Sequence, residues 1–345
     1  MNTFQKIVWK KSKNIWLVNT MFIQQKKLPS FAEIKSALPL DDQLKNLKLQ
    51  WDEDLRQNLL TKRKLVVVCG PCSADDPVAV GEYVAKLKQV ANSCPNLMVV
   101  ARIYTTKPRS NGIGYKGLCF GENGDDIASG IVACRQMMID CIKAGLPVAD
   151  ELLYPELHQY FDDLVSYSFV GARSSEDSLH RAFASGLDVC CGVKNSTDGD
   201  VDKLIQSLQA VSLPTVFPFE GAQLQTAGCQ FAHVVLRGGS IDGEYQANID
   251  RSNVALLKQR LQKLNLCDFI MADLSHANSK KVAQNQIDNA KKVICDQNIN
   301  GVMIESYLCD GRDGSTYGVS ITDQCLGFDD TSKLLLMLNG QFAKR

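Results

Sequence analysis

The 345-residue chain has 45% hydrophobic and 22% charged residues, with 38 Lys plus Arg balancing 38 Asp plus Glu. That composition belongs to a globular protein of one large or two ordinary domains with ample core, and the zero net charge excludes a global field that would recruit nucleic acid or an anionic membrane. Thirteen scattered cysteines with no small-domain scaffold around them point to reduced thiols and a cytoplasmic setting.

Residues 1–27 hold an apolar run, Ile15 to Val18, readable as an edge strand or an interface arm, but no run of transmembrane or signal-peptide length. Ser30 with Glu33 three residues on predicts a capping box and a helix start at Phe31, and a polar helix is expected over 41–60. Residues 1–64 thus read as an N-terminal extension that offers a candidate interface, ahead of a larger unit at 65–345.

At Leu65-Val66-Val67-Val68-Cys69 an unbroken apolar run predicts a strand buried on both faces, ended by Gly70-Pro71, with Cys72 at its C-terminal rim. Cys69-Gly70-Pro71-Cys72 has the spacing of a redox dithiol. Such a centre needs its first cysteine at an exposed helix start, whereas Cys69 closes an apolar run, so a single functional Cys72 is the better reading.

Further strands are expected at 98–103, 148–153, 168–172, 189–194, 232–237, 268–273 and 301–305. Helical patterns lie between them at 77–91, 126–144, 156–165, 176–185, 199–210, 247–264 and 280–298, with a last one at 329–343. This alternation predicts an α/β protein with a (β/α)8 TIM barrel. The runner-up, an open doubly wound sheet, lacks its glycine-rich dinucleotide fingerprint. Residues 213–230 are extra, two short strands around Glu220-Gly221 that form a β-hairpin inserted before strand six.

Cys72, Arg102, Glu151, Arg173, Lys194, Arg237, His276 and Glu305 each fall at or near the C-terminal end of a strand, and in a barrel these ends share one mouth. Four cations around one cavity repel each other unless an anion joins them, so the expected ligand is small and carries more than one negative group. Cys72, His276, Glu305 and Asp323 offer sulfur, imidazole and carboxylates, which suit Mn2+, Fe2+, Co2+ or Zn2+ better than Ca2+ or Mg2+. Spacing alone leaves His276 open between ligand and core residue; its place at a strand end favours the ligand.

The motifs Gly70-Pro71-Cys72-Ser73, Lys107-Pro108-Arg109, Gly171-Ala172-Arg173, Lys194-Asn195, Leu236-Arg237-Gly238-Gly239, Ser275-His276-Ala277-Asn278-Ser279 and Ser320-Ile321-Thr322-Asp323 occur in this order. Together they resemble the feedback-regulated, metal-dependent 3-deoxy-D-arabino-heptulosonate-7-phosphate (DAHP) synthases of bacteria and yeast, from about Leu28 to the C-terminus. The resemblance implies condensation of phosphoenolpyruvate (PEP) with erythrose 4-phosphate, releasing phosphate, at the entry to aromatic amino acid synthesis.

It implies that Arg173 and Arg237 hold the PEP phosphate, Arg102 and Lys194 its carboxylate, with Lys107 between the substrates and Glu151 placing a water. Arg109 and Ser110 would take the aldehyde phosphate, and one divalent ion on Cys72, His276, Glu305 and Asp323 would polarise the aldehyde. A homodimer or homotetramer and an aromatic amino acid effector are also implied. Departures cluster on the aldehyde side, at Ser110 to Gly114 and Cys119 to Gly124, and in the inserted hairpin. A sister synthase for another phosphorylated aldose, such as arabinose 5-phosphate, is the competing enzyme reading, and a barrel kept as a scaffold subunit the non-enzyme one. Cys69 is expected close enough to Cys72 to trap it as a disulfide under oxidation.

Overall fold

The computed structural model describes residues 25–121 and 124–345. The Ile15 to Val18 run therefore lies outside the described residues, as do two residues of the loop after Leu118.

Eight parallel strands close into a barrel: β1 (Leu65–Gly70), β2 (Leu97–Arg102), β3 (Val148–Glu151), β4 (Val165–Val170), β5 (Cys190–Lys194), β8 (Ala232–Leu236), β11 (Ile270–Asp273) and β12 (Ile299–Glu305), with β12 pairing back onto β1. The remaining strands form two small hairpins. The expected TIM barrel is the observed fold.

Strand period sorts the side chains into two layers. Val66 and Val68 of β1 pack inside the barrel with Val100, Tyr167, Phe169, Phe269 and Met303, while Leu65, Val67 and Cys69 face the surrounding helices. Those helices start where an acid can accept from their free N–H groups: Asp76, Asp126, Asp177, Asp200 and Asp250 cap α3 (Pro77–Asn92), α4 (Ile127–Lys143), α6 (Ser178–Ala184), α7 (Val201–Ser212) and α8 (Arg251–Lys263). The ring continues through α9 (Asn285–Val293) and α10 (Phe328–Phe342).

Ahead of the barrel, α1 (Phe31–Ala37) opens on the expected Ser30–Glu33 capping box. The polar helix is α2 (Asp42–Thr61), which ends just before β1 begins. Its Leu55 and Leu59 are buried among the inner-layer side chains of the barrel, so α2 closes the end opposite the mouth. Arg135 of α4 ties this segment down, donating to the Leu38 carbonyl at 2.8 Å and forking onto both Asp163 oxygens at 2.7 Å.

Three stretches differ from expectation. The pattern at 156–165 forms only one turn, α5 (Pro155–His158), because Val165, Tyr167 and Phe169 alternate as strand and β4 starts at 165. The helix expected from 280 starts at Asn285, after a loop in which His276, Lys280 and Lys281 all have left-handed φ near +50 to +59°. The helix expected from 247 starts at Arg251, preceded by an unexpected hairpin of β9 (Gly239–Ile241) and β10 (Glu244–Gln246).

The inserted hairpin before the sixth barrel strand is present, as β6 (Val216–Phe219) and β7 (Ala222–Gln225). Its turn residues Glu220 and Gly221 both have positive φ, the conformation of a two-residue hairpin turn.

Candidate active site

The strand ends converge as expected. Arg102, Lys107, Arg109, Glu151, Arg173, Lys194, Arg237, His276 and Asp323 line one cleft of about 720 Å3 at the C-terminal mouth. Cys72 and Glu305 lie at its base, buried. Ser110 stands at the rim and accepts from Arg173 Nε at 2.9 Å.

The cations divide into two groups. Arg102, Lys194 and Lys107 are ion-paired: Arg102 Nη2 to Glu305 at 3.0 Å, Lys194 Nζ to Asp273 at 3.1 Å and Lys107 Nζ to Asp323 at 3.1 Å. Arg102 and Lys194 are only 1% and 2% exposed, which is tolerable for charges because each has its carboxylate; Arg102 also donates to the Pro71 carbonyl and lies 3.7 Å from the centre of the Tyr104 ring. Arg109, Arg173 and Arg237 have no salt bridge among the described residues. Burial, with Arg173 nearby adding to it, holds the Arg237 guanidinium below its usual pKa. A cleft with unpaired, mutually repelling guanidiniums is complementary to a polyanion.

One oxygen or sulfur each from Cys72, Glu305 and Asp323 lie within 4.8 Å of one another. The Nε2 of His276 is 3.7 Å from Glu305 Oε1, while its Nδ1 is 2.9 Å from Asp273 Oδ2, so the ring is oriented by a carboxylate on its far side. Burial lowers the His276 pKa, which keeps a lone pair available. Burial pushes Asp323 up, but Lys107 and Lys281 outweigh it and hold the carboxyl below its ordinary range. Glu305 is likewise buried yet held low by His276, Arg102 and Lys107. Burial raises the Cys72 thiol, with Glu305 adding and Lys107 opposing; Lys107 Nζ is 2.7 Å from its sulfur. Cys72, Glu305 and Asp323 form a cluster whose sulfur and carboxylates fit a borderline divalent cation, whose charge would hold the thiolate form; His276 faces Glu305 outside that cluster.

Glu151 enters the cleft across Gly171, where a Cβ would collide with its Oε1. The glycine of Gly171-Ala172-Arg173 is thus required by a neighbouring carboxylate.

Sequence reasoning missed Asp273, Tyr104 and Lys281. Asp273 ends a predicted strand three residues before His276, so the strand-end rule that found the cations would have found it too. Lys281 owes its place to the left-handed loop, which no pattern announces. The Cys69 thiol is on the helix side of β1, 3.1 Å from the Tyr83 hydroxyl, and burial pushes it up to about 12. The sulfur against Cys72 is Cys325, which accepts from the Cys72 backbone N–H at 3.3 Å.

A second, larger groove of about 1540 Å3 lies away from the mouth, between α2, α5, α6 and the β6–β7 hairpin. Asp52, Arg56, His158, Gln159, Phe183 and Phe217 line it. Asp52 Oδ1, Arg56 Nε and Gln159 Nε2 are buried there without a hydrogen-bond partner.

A barrel with a sulfur, imidazole and carboxylate set beside a polyanion cleft defines a metal-assisted enzyme of anionic substrates. The sequence profile described as the DAHP synthetase I family matches residues 59–336, and the chain belongs to that family. It is 33% identical over 356 residues to the Tyr-sensitive phospho-2-dehydro-3-deoxyheptonate aldolase of Salmonella typhimurium, covering 95% of this chain and 98% of that protein. To the Phe-sensitive aldolase of Escherichia coli it is 37% identical over 296 residues, 80% of this chain and 83% of the other. The solved structure of phospho-2-dehydro-3-deoxyheptonate aldolase from Francisella tularensis superposes with a TM-score of 0.87 at 31% identity, covering 93% of this chain and 99% of that one.

Proposed function

We propose that the protein condenses PEP with erythrose 4-phosphate and water to give DAHP and inorganic phosphate, the first step of the shikimate pathway. The observation that carries the reading is the division of the cleft into paired and unpaired cations beside a metal-ligating set. Arg173 and Arg237, with no carboxylate of their own, hold the PEP phosphate. Arg102 and Lys194 hold the PEP carboxylate, kept in place by Glu305 and Asp273. Arg109 and Ser110 take the aldehyde phosphate, and Lys107 stands between the substrates.

Cys72, His276, Glu305 and Asp323 would hold one divalent ion, from among Mn2+, Fe2+, Co2+ and Zn2+, which would supply Lewis-acid polarisation of the aldehyde. The chain's own groups do the rest. C3 of PEP forms the new bond to the aldehyde carbon, Glu151 positions the water that adds to C2, and the C2–O bond breaks to release phosphate to Arg173 and Arg237. Lys107 lies where its ammonium can stabilise or protonate the developing alkoxide.

The groove is an aromatic amino acid effector site. Asp52 Oδ1 supplies an acceptor for an ammonium, Arg56 and Gln159 supply donors for a carboxylate, and Phe183, Phe217 and His158 flank a ring. Burial drives His158 down to about 4, so it is a neutral partner. Residues 1–64 form the interface and regulatory part of a homodimer or homotetramer. A cytoplasmic location accords with thirteen free cysteines; no helix among the described residues is long and apolar enough to cross a membrane.

The test is a panel: purified protein, PEP, Mn2+ and four- and five-carbon phosphorylated aldoses, with phosphate release compared at subsaturating aldehyde. Erythrose 4-phosphate should win, and Arg109→Ala should lose roughly a hundredfold with it but little with an unphosphorylated aldehyde. Preference for arabinose 5-phosphate would move the chain to the sister reaction.

A further inference from the structure

Beside the loop that carries Lys107 lies a small, partly open depression with room for about one water molecule. Thr105, Thr106, Asp150, Leu157, His158 and Phe161 are among its walls, and Thr106 Oγ1 is buried there with no partner. Thr105 and Thr106, both buried, lead into the loop. Its backbone is fastened at Ile103 to the Ala149 carbonyl (2.8 Å), at the Thr105 carbonyl by Cys119 N–H (3.0 Å) and at Lys107 N–H to the Lys116 carbonyl (2.8 Å). One side chain reaches it from β3. Asp150 Oδ1 accepts from Thr105 N–H at 3.0 Å and from Glu151 N–H at 2.8 Å, and Oδ2 accepts from the Thr105 hydroxyl at 2.7 Å.

We propose that Asp150 is a positioning residue for the reaction, a clamp that fixes the Lys107 loop and Glu151 relative to each other. Both clamped residues bear on the cleft. Lys107 must hold its ammonium beside Cys72 and Asp323, two residues along the chain from the clamp, and Glu151 is the next residue after Asp150 itself. A displacement of an ångström at either group costs rate without removing any substrate contact. The arginines assigned to the PEP phosphate, Arg173 and Arg237, follow other strands, so the clamp acts on turnover more than on PEP affinity.

The chemistry of the site explains why a carboxyl group serves. It offers two oxygens in one plane to three donors, and if it takes up a proton on Oδ2 that proton can be given to the Thr105 hydroxyl, so the clamp survives protonation. The group is buried deeply enough that its pKa is pushed up to about 7 despite those three hydrogen bonds, an arrangement that works against fold stability. Contacts kept at the expense of stability are expected where a site has to be held in place.

The inference rests on the synthase reading, and the experiment separates the two. Steady-state kinetics with PEP, erythrose 4-phosphate and Mn2+ are compared for the wild type, Asp150→Ala, Asp150→Asn and Thr105→Val, alongside thermal denaturation. Asp150→Ala should lower kcat about tenfold or more, with KM for PEP within about threefold. Asp150→Asn keeps an acceptor for both N–H groups and can donate to the Thr105 hydroxyl, so it should restore kcat to within about threefold. A purely structural role would lower Tm and leave kcat per folded enzyme unchanged, and that result for Asp150→Ala overturns the proposal, as would an Asn variant as slow as Ala. If Asp150→Ala does not fold, Thr105→Val, which removes only the hydroxyl arm, decides: kcat should fall about threefold, and an unchanged kcat overturns the clamp. Absence of wild-type turnover would instead sink the synthase reading.

Discussion

The two ends of the barrel are built from the same strands and treat charge in opposite ways. At the mouth, Arg102, Lys194, Asp273 and Glu305 are all buried, and each faces a partner of opposite sign. At the floor, His233 is fully buried with its Nε2 2.6 Å from the Tyr167 hydroxyl, and burial holds it down to about 4, so it stays neutral among Tyr167, Phe269, Leu55 and Leu59. Between these two ends, buried charge is kept where an anion is to be recognised, and a neutral hydrogen-bonded pair is enough where the task is to fill space; elsewhere an ion pair such as that of the buried Arg135 with Asp163 ties segments together.

If this contrast holds, substitutions at the mouth should change rate and substitutions at the floor should change stability. The largest effect is expected from the metal-ligating set. His276→Ala or Cys72→Ala should lower turnover by roughly a thousandfold, about 4 kcal/mol, and a chelator should abolish wild-type activity until divalent ion is restored. Full activity of Cys72→Ala in metal-free buffer would break the assignment.

Leu55→Ala at the floor should cost about 3 kcal/mol of unfolding free energy, read from denaturant titration, with kcat/KM of the folded enzyme unaltered. A rate loss there would blur the distinction between the ends. Arg237→Ala should reduce kcat/KM for PEP about a hundredfold, or about 2.7 kcal/mol, with Tm equal to or above that of the wild type because a half-buried cation without an ion-pair partner is removed. A large drop in Tm would show that Arg237 serves the fold.

The smallest effect sharpens the contrast by pH. Burial, partly offset by bonds from Thr105 and Glu151 N–H and reinforced by the Glu151 charge, raises Asp150 to about 7 from an unfolded value of 3.8. Between these values the folded state holds a proton that the unfolded state has released. The stability contributed by this group therefore falls as pH rises from about 4 to 7 and is level above that. Asp150→Asn lacks the transition, so the Tm of the variant relative to wild type should be lowest near pH 4 and rise toward pH 7. A pH-independent difference would mean that Asp150 is ionised throughout.

Much of the mouth was legible in the sequence because charge interrupts apolar runs there, and each interruption marks a strand end. Arg102, Lys194 and Arg237 announce themselves in this way. The floor is silent because Leu55 and Leu59 sit in a helix whose other faces are polar, and nothing in its pattern says that a barrel end receives it. The β9–β10 hairpin carried a readable signal, Asp242-Gly243, the dipeptide that favours a positive-φ turn. The partition of cations into paired and unpaired was beyond sequence reading, since Arg102 meets Glu305 across 203 positions and Lys194 meets Asp273 across 79.

The central claim, that one cleft joins PEP to erythrose 4-phosphate with the help of a bound divalent ion, is tested most directly by product stoichiometry. Purified protein is given both substrates and Mn2+, and the seven-carbon product and inorganic phosphate are quantified in the same samples before and after chelation. Equal amounts of the two, appearing together and both stopped by the chelator, are the predicted result. Phosphate release without the seven-carbon product, or turnover that ignores erythrose 4-phosphate, would contradict it.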